Sequence, residues 1–137
     1  MRFMAWHVDY ITATPTEAGR SKIVEAAVPV HAENALLVFA SFEKSDEQNM
    51  GGVVDRAANE ILSIAKQLNA TSIVLNPFAH LFAEQASLEA AKEMLDALAV
   101  DLSKKSPNVQ KMAFGMFYEL ELKAKGHRLS RISRRIE

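Results

Sequence analysis

The feature that most constrains the fold is a short apolar run followed by a turn and then by a long segment with helical periodicity. Residues 71–75 are rich in β-branched side chains and have the length of a buried strand. The turn, residues 76–82 (NPFAHLF), is stiffened by Pro77, which fixes its own φ and keeps Asn76 out of the α region. Because open α/β folds place ligands where such strands end, this turn is a candidate site.

His80 is the residue of this turn that can exchange a proton near neutral pH. That property makes it a candidate for orienting or activating a reactant. An isolated loop histidine also commonly does no more than hydrogen-bond a backbone carbonyl. Both interpretations stay open from this residue alone.

Two helices are predicted from apolar side chains at helical spacing. Gly51 and Gly52 precede the first stripe and Asn69 follows it, as start and stop signals. Ser87 caps the second helix, and Pro107 prevents its continuation. The stripes comprise Val54, Ala58, Ile61, Ala65 and Leu68 in the first helix, and Leu88, Ala91, Leu95, Leu98 and Leu102 in the second.

Strands are predicted around these helices. Residues 2–12 and 35–43 are apolar, aromatic or β-branched, and residues 109–123 alternate strictly between apolar and other side chains. Turn residues between positions 14 and 21 precede an edge strand at residues 23–30.

The end of the chain predicts a short amphipathic helix, because Leu129, Ile132 and Ile136 fall at helical spacing. Gly115, within the long alternating run, indicates close approach of another backbone or of a ligand. Strands before, between and after two main helices predict a single α/β domain with a mixed β-sheet.

Composition narrows the class of protein. The chain has 137 residues and is 49% hydrophobic, which suits one compact domain. It has no cysteine, which excludes disulfides, thiolate metal sites and a cysteine nucleophile and makes a cytoplasmic location the expectation. No apolar run approaches the ~20 residues that cross a bilayer.

The net charge of −1 hides an asymmetry. Residues 123–137 contain six Lys or Arg and one Glu, whereas residues 1–122 contain ten basic and sixteen acidic side chains. A basic segment of this kind attracts phosphates, although many such segments are only solvated surface.

No known metal or cofactor motif is present. The four histidines lie far apart in sequence, and no H-E-x-x-H pattern joins any of them. The sequence also lacks G-x-G-x-x-G, G-x-x-x-x-G-K-[ST] and G-x-S-x-G. We therefore assign no metal, no cofactor and no serine nucleophile.

Several short motifs together resemble the amino-terminal editing domain of archaeal threonyl-tRNA synthetases. The resemblance spans nearly the whole chain, and its most specific element is the Pro-Phe-Ala-His sequence. The motifs are residues 77–80, Phe114-Gly115, residues 125–127 with Leu129 and Ser133-Arg134, and residues 7–11 and 41–44.

The resemblance implies a fold similar to that of D-aminoacyl-tRNA deacylases, usually found as a homodimer and without a cofactor. It implies that residues 1–137 form one editing domain, and we expect this domain to lie at the N-terminal end of a longer synthetase, with a complete small protein as the alternative. The implied reaction is proofreading hydrolysis of L-seryl-tRNA(Thr), whose partners are the acceptor end of tRNA(Thr) and the rest of the synthetase.

The resemblance also assigns site residues by position. A seryl pocket would be lined by Phe42, Ala79, His80, Phe114, Gly115 and Phe117. The basic charge of the C-terminal segment, and not the resemblance, makes Arg128, Arg131, Arg134 and Arg135 candidates for contact with the tRNA acceptor end, with solvent or a neighbouring domain as the alternatives. Family members with a lysine three residues after the Phe-Gly pair are thought to use it near the ester. This chain has Tyr118 there, and Arg131 replaces an acidic residue found in other members.

These two departures favour a mechanism assisted by the substrate. The 2′-hydroxyl of the terminal ribose would position or activate the attacking water, while His80 orients the ribose or the water. Backbone N–H groups near Ala79 or Gly115 would stabilise the oxyanion. Two other functions remain open: deacylation of D-aminoacyl-tRNA, and non-catalytic binding of a small amino acid or of the acceptor end.

Overall fold

The structure, a computed structural model, describes residues 1–79, 81 and 84–137. Within these residues the chain forms six strands, two α-helices and one 3₁₀-helix. The elements are β1 Arg2–Ala18, β2 Val30–Ser41, the 3₁₀-helix Lys44–Gln48, α1 Met50–Leu68, β3 Ser72–Pro77, α2 Leu88–Lys105, β4 Val109–Lys111, β5 Met116–Ala124 and β6 Arg131–Arg135.

The strands form one sheet in the order β4-β3-β2-β1-β5, and β6 also pairs with β1. The pairs β2–β3 and β3–β4 are parallel, whereas β1 is antiparallel to each of its partners. The long strand β1 serves two partners on the same side, since its first residues pair with β6 and its later residues pair with β5. The predicted mixed sheet is confirmed.

Both faces of the sheet carry buried apolar clusters. On one face, side chains such as Phe3 and Leu36 pack against Ile61 of α1 and Leu98 of α2. On the other face, β1, β2 and β3 residues pack with Met112 and with side chains of β5, which include Tyr118 and Leu122.

Both predicted helices are confirmed, with one change at the start of α1. Asn49 caps this helix by accepting a hydrogen bond from the Gly52 N–H at 3.1 Å, so Gly51 and Gly52 lie inside the first turn and not before it. Asn69 ends α1 in the left-handed conformation, with φ of 55°. Ser87 caps α2 by accepting from the Ala90 N–H at 3.2 Å.

The predicted turn and edge strand between positions 14 and 30 are wrong. β1 continues to Ala18, and Pro15 is accommodated because the pairing with β5 shifts register between Pro15 and Glu17. Residues 23–29, all within the described part, form no strand. They form a loop instead, and the Glu25 N–H of this loop donates to the Phe114 carbonyl at 2.9 Å.

The predicted long strand at residues 109–123 is two strands, β4 and β5, separated by a turn at Gly115 with φ of +79°. The predicted C-terminal helix is the strand β6, which pairs residue for residue with Arg2–Trp6 of β1. Ile132 and Ile136 are four residues apart, a spacing that fits one strand face as well as one helix face. The strand forms, and not the helix, because residues Arg2–Trp6 of β1 offer an edge with which residues 131–135 pair.

No helix in the described part of the chain is long and apolar enough to cross a membrane. Among the same residues, no group of three His, Asp or Glu side chains is arranged to hold a metal ion.

Candidate functional site

A cavity of about 570 Å³ opens at the carboxyl end of β3. It lies between the segment after β1, the end of β2, the turn after β3, the start of α2 and the turn before β5. Its described lining residues are Gly19, Arg20, Ser21, Ala40, Ser41, Phe42, Asn76, Pro77, Phe78, Ala79, Gln85, Ala86, Leu88, Ala91, Leu95, Met112, Phe114, Gly115, Met116, Phe117, Tyr118 and Leu120.

The turn after β3 forms the first wall of this cavity. It is fixed to the neighbouring strand, because the Phe78 N–H donates to the Ala40 carbonyl at 2.9 Å and the Ser41 hydroxyl donates to the Ala79 carbonyl at 3.4 Å. The Phe78 ring meets the Phe39 ring edge to face, with centroids 6.1 Å apart. The sheet therefore continues into the turn and places Ala79 at the cavity.

The turn that carries Phe114 and Gly115 forms the opposite wall. A Cβ on Gly115 would lie 2.2 Å from the Ile23 carbonyl oxygen, so only glycine fits at this position and at its positive φ. The Gly115 carbonyl accepts from the Gly19 N–H at 2.8 Å. The close backbone approach predicted at Gly115 is therefore confirmed.

Glu25 joins this turn to helix α2. Its carboxylate accepts from the Phe114 N–H at 2.8 Å and from Lys111 Nζ at 3.0 Å. Lys111 in turn donates to Asp96 on α2, and Lys92 donates to Asp96 at 2.6 Å. Burial raises the pKa of Asp96, but the hydrogen bonds from Lys111 and Lys92 outweigh that effect and hold its pKa below its usual range.

Tyr118 lies three residues after Gly115, at the position where the resemblance leads one to expect a lysine. Its hydroxyl oxygen accepts a hydrogen bond from the Ala113 N–H at 2.6 Å, which closes the turn before β5. The side chain is half-buried and packs on the second apolar cluster. Its hydroxyl proton remains available as a donor.

The structure brings most of the predicted pocket residues together around one cavity: Phe42, Ala79, Phe114, Gly115, Phe117 and Tyr118 all line it. His80 lies outside the described residues. Phe114 and Phe117 share the cavity because Phe114 belongs to the turn and not to the strand that contains Phe117. That these residues bind a ligand stays a prediction.

The four predicted tRNA-binding arginines are elsewhere. None of Arg128, Arg131, Arg134 and Arg135 is among the described residues that line the cavity, and all four are on or just before β6 or at its end. Arg134 forms an ion pair with Glu60 of α1 at 3.0 Å, and Arg135 forms one with Glu137 at 3.2 Å.

Sequence reasoning missed several lining residues, among them Arg20, Ser41 and Met112. Arg20 belongs to a loop without periodicity, so no pattern marks it. Ser41 follows a predicted strand and carries a signal only once the neighbouring turn is known. The alternating pattern places Met112 on a regular strand face, and the turn at Gly115 brings it to the cavity instead.

Another polar cluster lies away from this cavity. His7 is buried, and its Nδ1 is 2.9 Å from Nε2 of His127, while its Nε2 is 2.8 Å from the Asn34 side-chain oxygen. Asp9 is paired with Lys125 at 2.5 Å, and the hydrogen bond from Lys125 holds the pKa of Asp9 below its usual range. These contacts tie residues 125–130 to β1.

Comparison with known families gives a full-length match. Residues 1–136 match the model of the archaea-specific editing domain of threonyl-tRNA synthetase. The chain is similar to the threonine–tRNA ligases of Pyrococcus furiosus (35% identity over 143 residues) and Methanococcus vannielii (36% over 138 residues). Each match covers 99% of this chain and 22% of the relative, so the chain spans about a fifth of the length of these relatives.

The fold also matches a solved structure, that of the c-Myc DNA unwinding element binding protein. The identity is 13% and the TM-score is 0.73, and the match covers 100% of this chain and 99% of the other. At this identity the likeness concerns the fold alone. The resemblance implies a deacylase-like fold with a single mixed sheet and two main helices, and this expectation is confirmed.

Proposed function

The chain belongs to the archaea-specific editing-domain family of threonyl-tRNA synthetase, and from this premise we propose that it hydrolyses L-seryl-tRNA(Thr) to serine and free tRNA(Thr). This reaction is that of an aminoacyl-tRNA deacylase of the editing type. The observation that carries the proposal is the largely apolar cavity at the end of β3. One methyl group separates serine from threonine and is worth roughly 1–3 kcal/mol, so a synthetic site for threonine cannot strongly exclude serine. A second pocket without room for that methyl group solves the problem.

The cavity has the size and lining for such a ligand. Its volume of about 570 Å³ falls within the range of small-molecule sites. Phe42, only 6% exposed, closes its inner part, and Phe117, 59% exposed, offers a ring at the opening. We assign Phe117 to stacking on the terminal adenine, because a base stacks on an aromatic face irrespective of sequence.

The chemistry proceeds with the help of the substrate itself. Among the described lining residues there is no carboxylate, lysine or histidine, and the Tyr118 hydroxyl already holds the Ala113 N–H. These observations support a role for the 2′-hydroxyl of the terminal ribose, which positions the attacking water. His80, outside the described residues, keeps its proposed role of orienting the ribose or the water.

The water oxygen attacks the ester carbonyl, and the carbonyl oxygen becomes an oxyanion. Gly115 and Ala79 both line the cavity. Among the described residues, no hydrogen bond is donated by either of their backbone N–H groups. These two observations support both N–H groups as hydrogen-bond donors to the oxyanion. The intermediate then collapses with cleavage of the bond to the ribose 3′-oxygen. That oxygen takes one proton of the attacking water, so serine leaves as the carboxylic acid, which then gives the second proton to solvent and becomes the carboxylate.

The proposed partners follow from the same family. They are the acceptor end of tRNA(Thr) carrying serine, the remainder of a threonyl-tRNA synthetase and a second copy of this chain. Exposed apolar side chains on β5 and on the loop between β1 and β2 support the homodimer, and they include Leu120 (37% exposed) on β5 and Val24 (44%) and Val28 (71%) on the loop.

The experiment compares two seryl-tRNA(Thr) substrates, one with a normal terminal adenosine and one with 2′-deoxyadenosine. We expect rapid release of serine from the first and a nearly complete loss of hydrolysis with the second. Failure to hydrolyse the normal substrate would overturn the function. Equal hydrolysis of both would leave the function standing and rule out assistance by the 2′-hydroxyl. D-seryl-tRNA(Thr) serves as the third substrate, and preferential hydrolysis of it would favour the D-aminoacyl alternative.

A further inference from the structure

Arg20 differs from the other described residues that line the cavity because its side chain is charged. The residue is exposed, so its guanidinium lies at the opening. No ion pair or hydrogen bond found within the described part of the chain involves that guanidinium. Among the described lining residues, Arg20 is therefore the one cation, and it has no carboxylate partner within the described part of the chain.

The backbone that carries Arg20 is fixed relative to the cavity. On one side, the Gly19 N–H donates to the Gly115 carbonyl at 2.8 Å, and on the other, the Ser21 hydroxyl oxygen accepts from the Ile23 N–H at 3.2 Å. The position of the guanidinium is thus limited by the same turn that forms a cavity wall.

The chemistry of an aminoacylated RNA end restricts what this cation can bind. The esterified amino acid has no free carboxylate, and its amino group is positive and would be repelled. The negative groups are the phosphodiesters. A guanidinium suits them especially well, because two of its N–H groups can bind two phosphate oxygens at once.

We propose that Arg20 binds the phosphate on the 5′ side of the terminal adenosine. The acceptor end then enters with this phosphate at residues 19–21 and with the aminoacyl group directed towards Ala79 and Gly115. The inference rests on the proposed function, because it takes the ligand to be an aminoacyl-adenosine. It assigns phosphate contact at the cavity to a residue outside the basic C-terminal segment, where Arg134 and Arg135 already have carboxylate partners.

The test uses two stable analogues in which an amide replaces the ester, 3′-serylamino-3′-deoxyadenosine with and without a 5′-phosphate. Calorimetry measures the binding of each to the whole chain. For the wild-type protein we expect the phosphate to increase affinity about tenfold, a typical value for one charged hydrogen-bonding contact. Raising the salt concentration reduces this gain.

Arg20→Gln should bring the ratio of the two affinities close to one. Arg56→Gln is the matched control, since Arg56 is an exposed arginine on α1 that does not line the cavity, and it should keep the wild-type ratio. The inference is overturned if the phosphate gives no gain in the wild-type protein, if Arg20→Gln keeps the gain, or if neither analogue binds. If the protein hydrolyses seryl-tRNA(Thr) but Arg20→Gln keeps the wild-type ratio of the two analogue affinities, this inference alone is contradicted and the proposed function stays intact.

Discussion

The carbonyl oxygen of Ile23 occupies the space that a side chain on Gly115 would need, only 2.2 Å from the position of a Cβ. This contact joins two segments of the chain. One is the loop that contains Ile23, which no sequence pattern predicts, and the other is the turn at Gly115 that lines the cavity. The contact also means that the cavity wall depends on residues 19–25, which lie almost a hundred positions earlier in the chain.

Gly115→Ala should therefore damage both stability and function. The substitution forces the Ile23 backbone to move and places a Cβ at a φ of +79°, so we expect a loss of about 2–4 kcal/mol in the free energy of unfolding. Urea unfolding measures this loss, and a seryl-tRNA(Thr) hydrolysis assay should show a lower rate. Gly51→Ala is the control, because no atom lies within 4 Å of its added Cβ, and it should be neutral or slightly stabilising. Equal effects of the two substitutions would contradict this account of Gly115.

The Glu25 contacts predict coupling between Glu25 and Lys111. In Glu25→Gln, the amide oxygen can still accept from the Phe114 N–H, but the side chain no longer neutralises Lys111. We expect a loss of about 1–2 kcal/mol that becomes smaller in a Lys111→Met background. A double-mutant cycle by urea unfolding measures the coupling energy. Strictly additive losses would show that the ion pair does not hold the turn.

Asp96 should make stability depend on pH in the acid range. Its pKa in the folded chain lies below its usual value, so its contribution is fully present above the unfolded-state pKa of about 3.8 and is lost as the pH falls through the lower folded-state pKa. We expect Asp96→Asn to destabilise the protein at pH 7 and the difference from wild type to shrink below about pH 4. Urea unfolding at several pH values measures it, with Asp101→Asn on the same helix as control. A difference that is constant with pH would refute the assignment.

Tyr118→Phe separates a structural role from a catalytic one. The hydroxyl accepts from the Ala113 N–H at 2.6 Å, and its removal leaves that donor unpaired in a partly buried turn. We expect a loss of about 1–2 kcal/mol in stability and a decrease in kcat of less than tenfold. A decrease of several hundredfold with little change in stability would instead place Tyr118 in the chemical step.

The elements that could be predicted from sequence are those with local causes. The stripe from Val54 to Leu68 and the cap at Ser87 define α1 and α2 through contacts within a few residues. The composition of residues 71–75 also predicts a strand, and the structure extends it to Pro77 as β3. The turn that follows it does line a cavity, as expected for the end of such a strand.

The errors occurred where a distant segment decides the structure. Residues 131–135 form a strand because β1 has an open edge, and nothing local separates that strand from a helix. The turn at Gly115 interrupts a perfect alternation because the Ile23 backbone packs against it. Arg20 is held at the cavity by another long-range contact, the hydrogen bond from the Gly19 N–H to the Gly115 carbonyl, so its sequence neighbours give no sign of a binding role.

The selectivity between serine and threonine tests the central claim most directly. The measurement is kcat/KM for hydrolysis of seryl-tRNA(Thr) and of threonyl-tRNA(Thr) under identical conditions, with the same tRNA preparation. A pocket that holds a hydroxymethyl group and excludes one more methyl predicts a ratio of about 100 or more in favour of the seryl ester. A ratio near one, or a preference for the threonyl ester, would contradict the account.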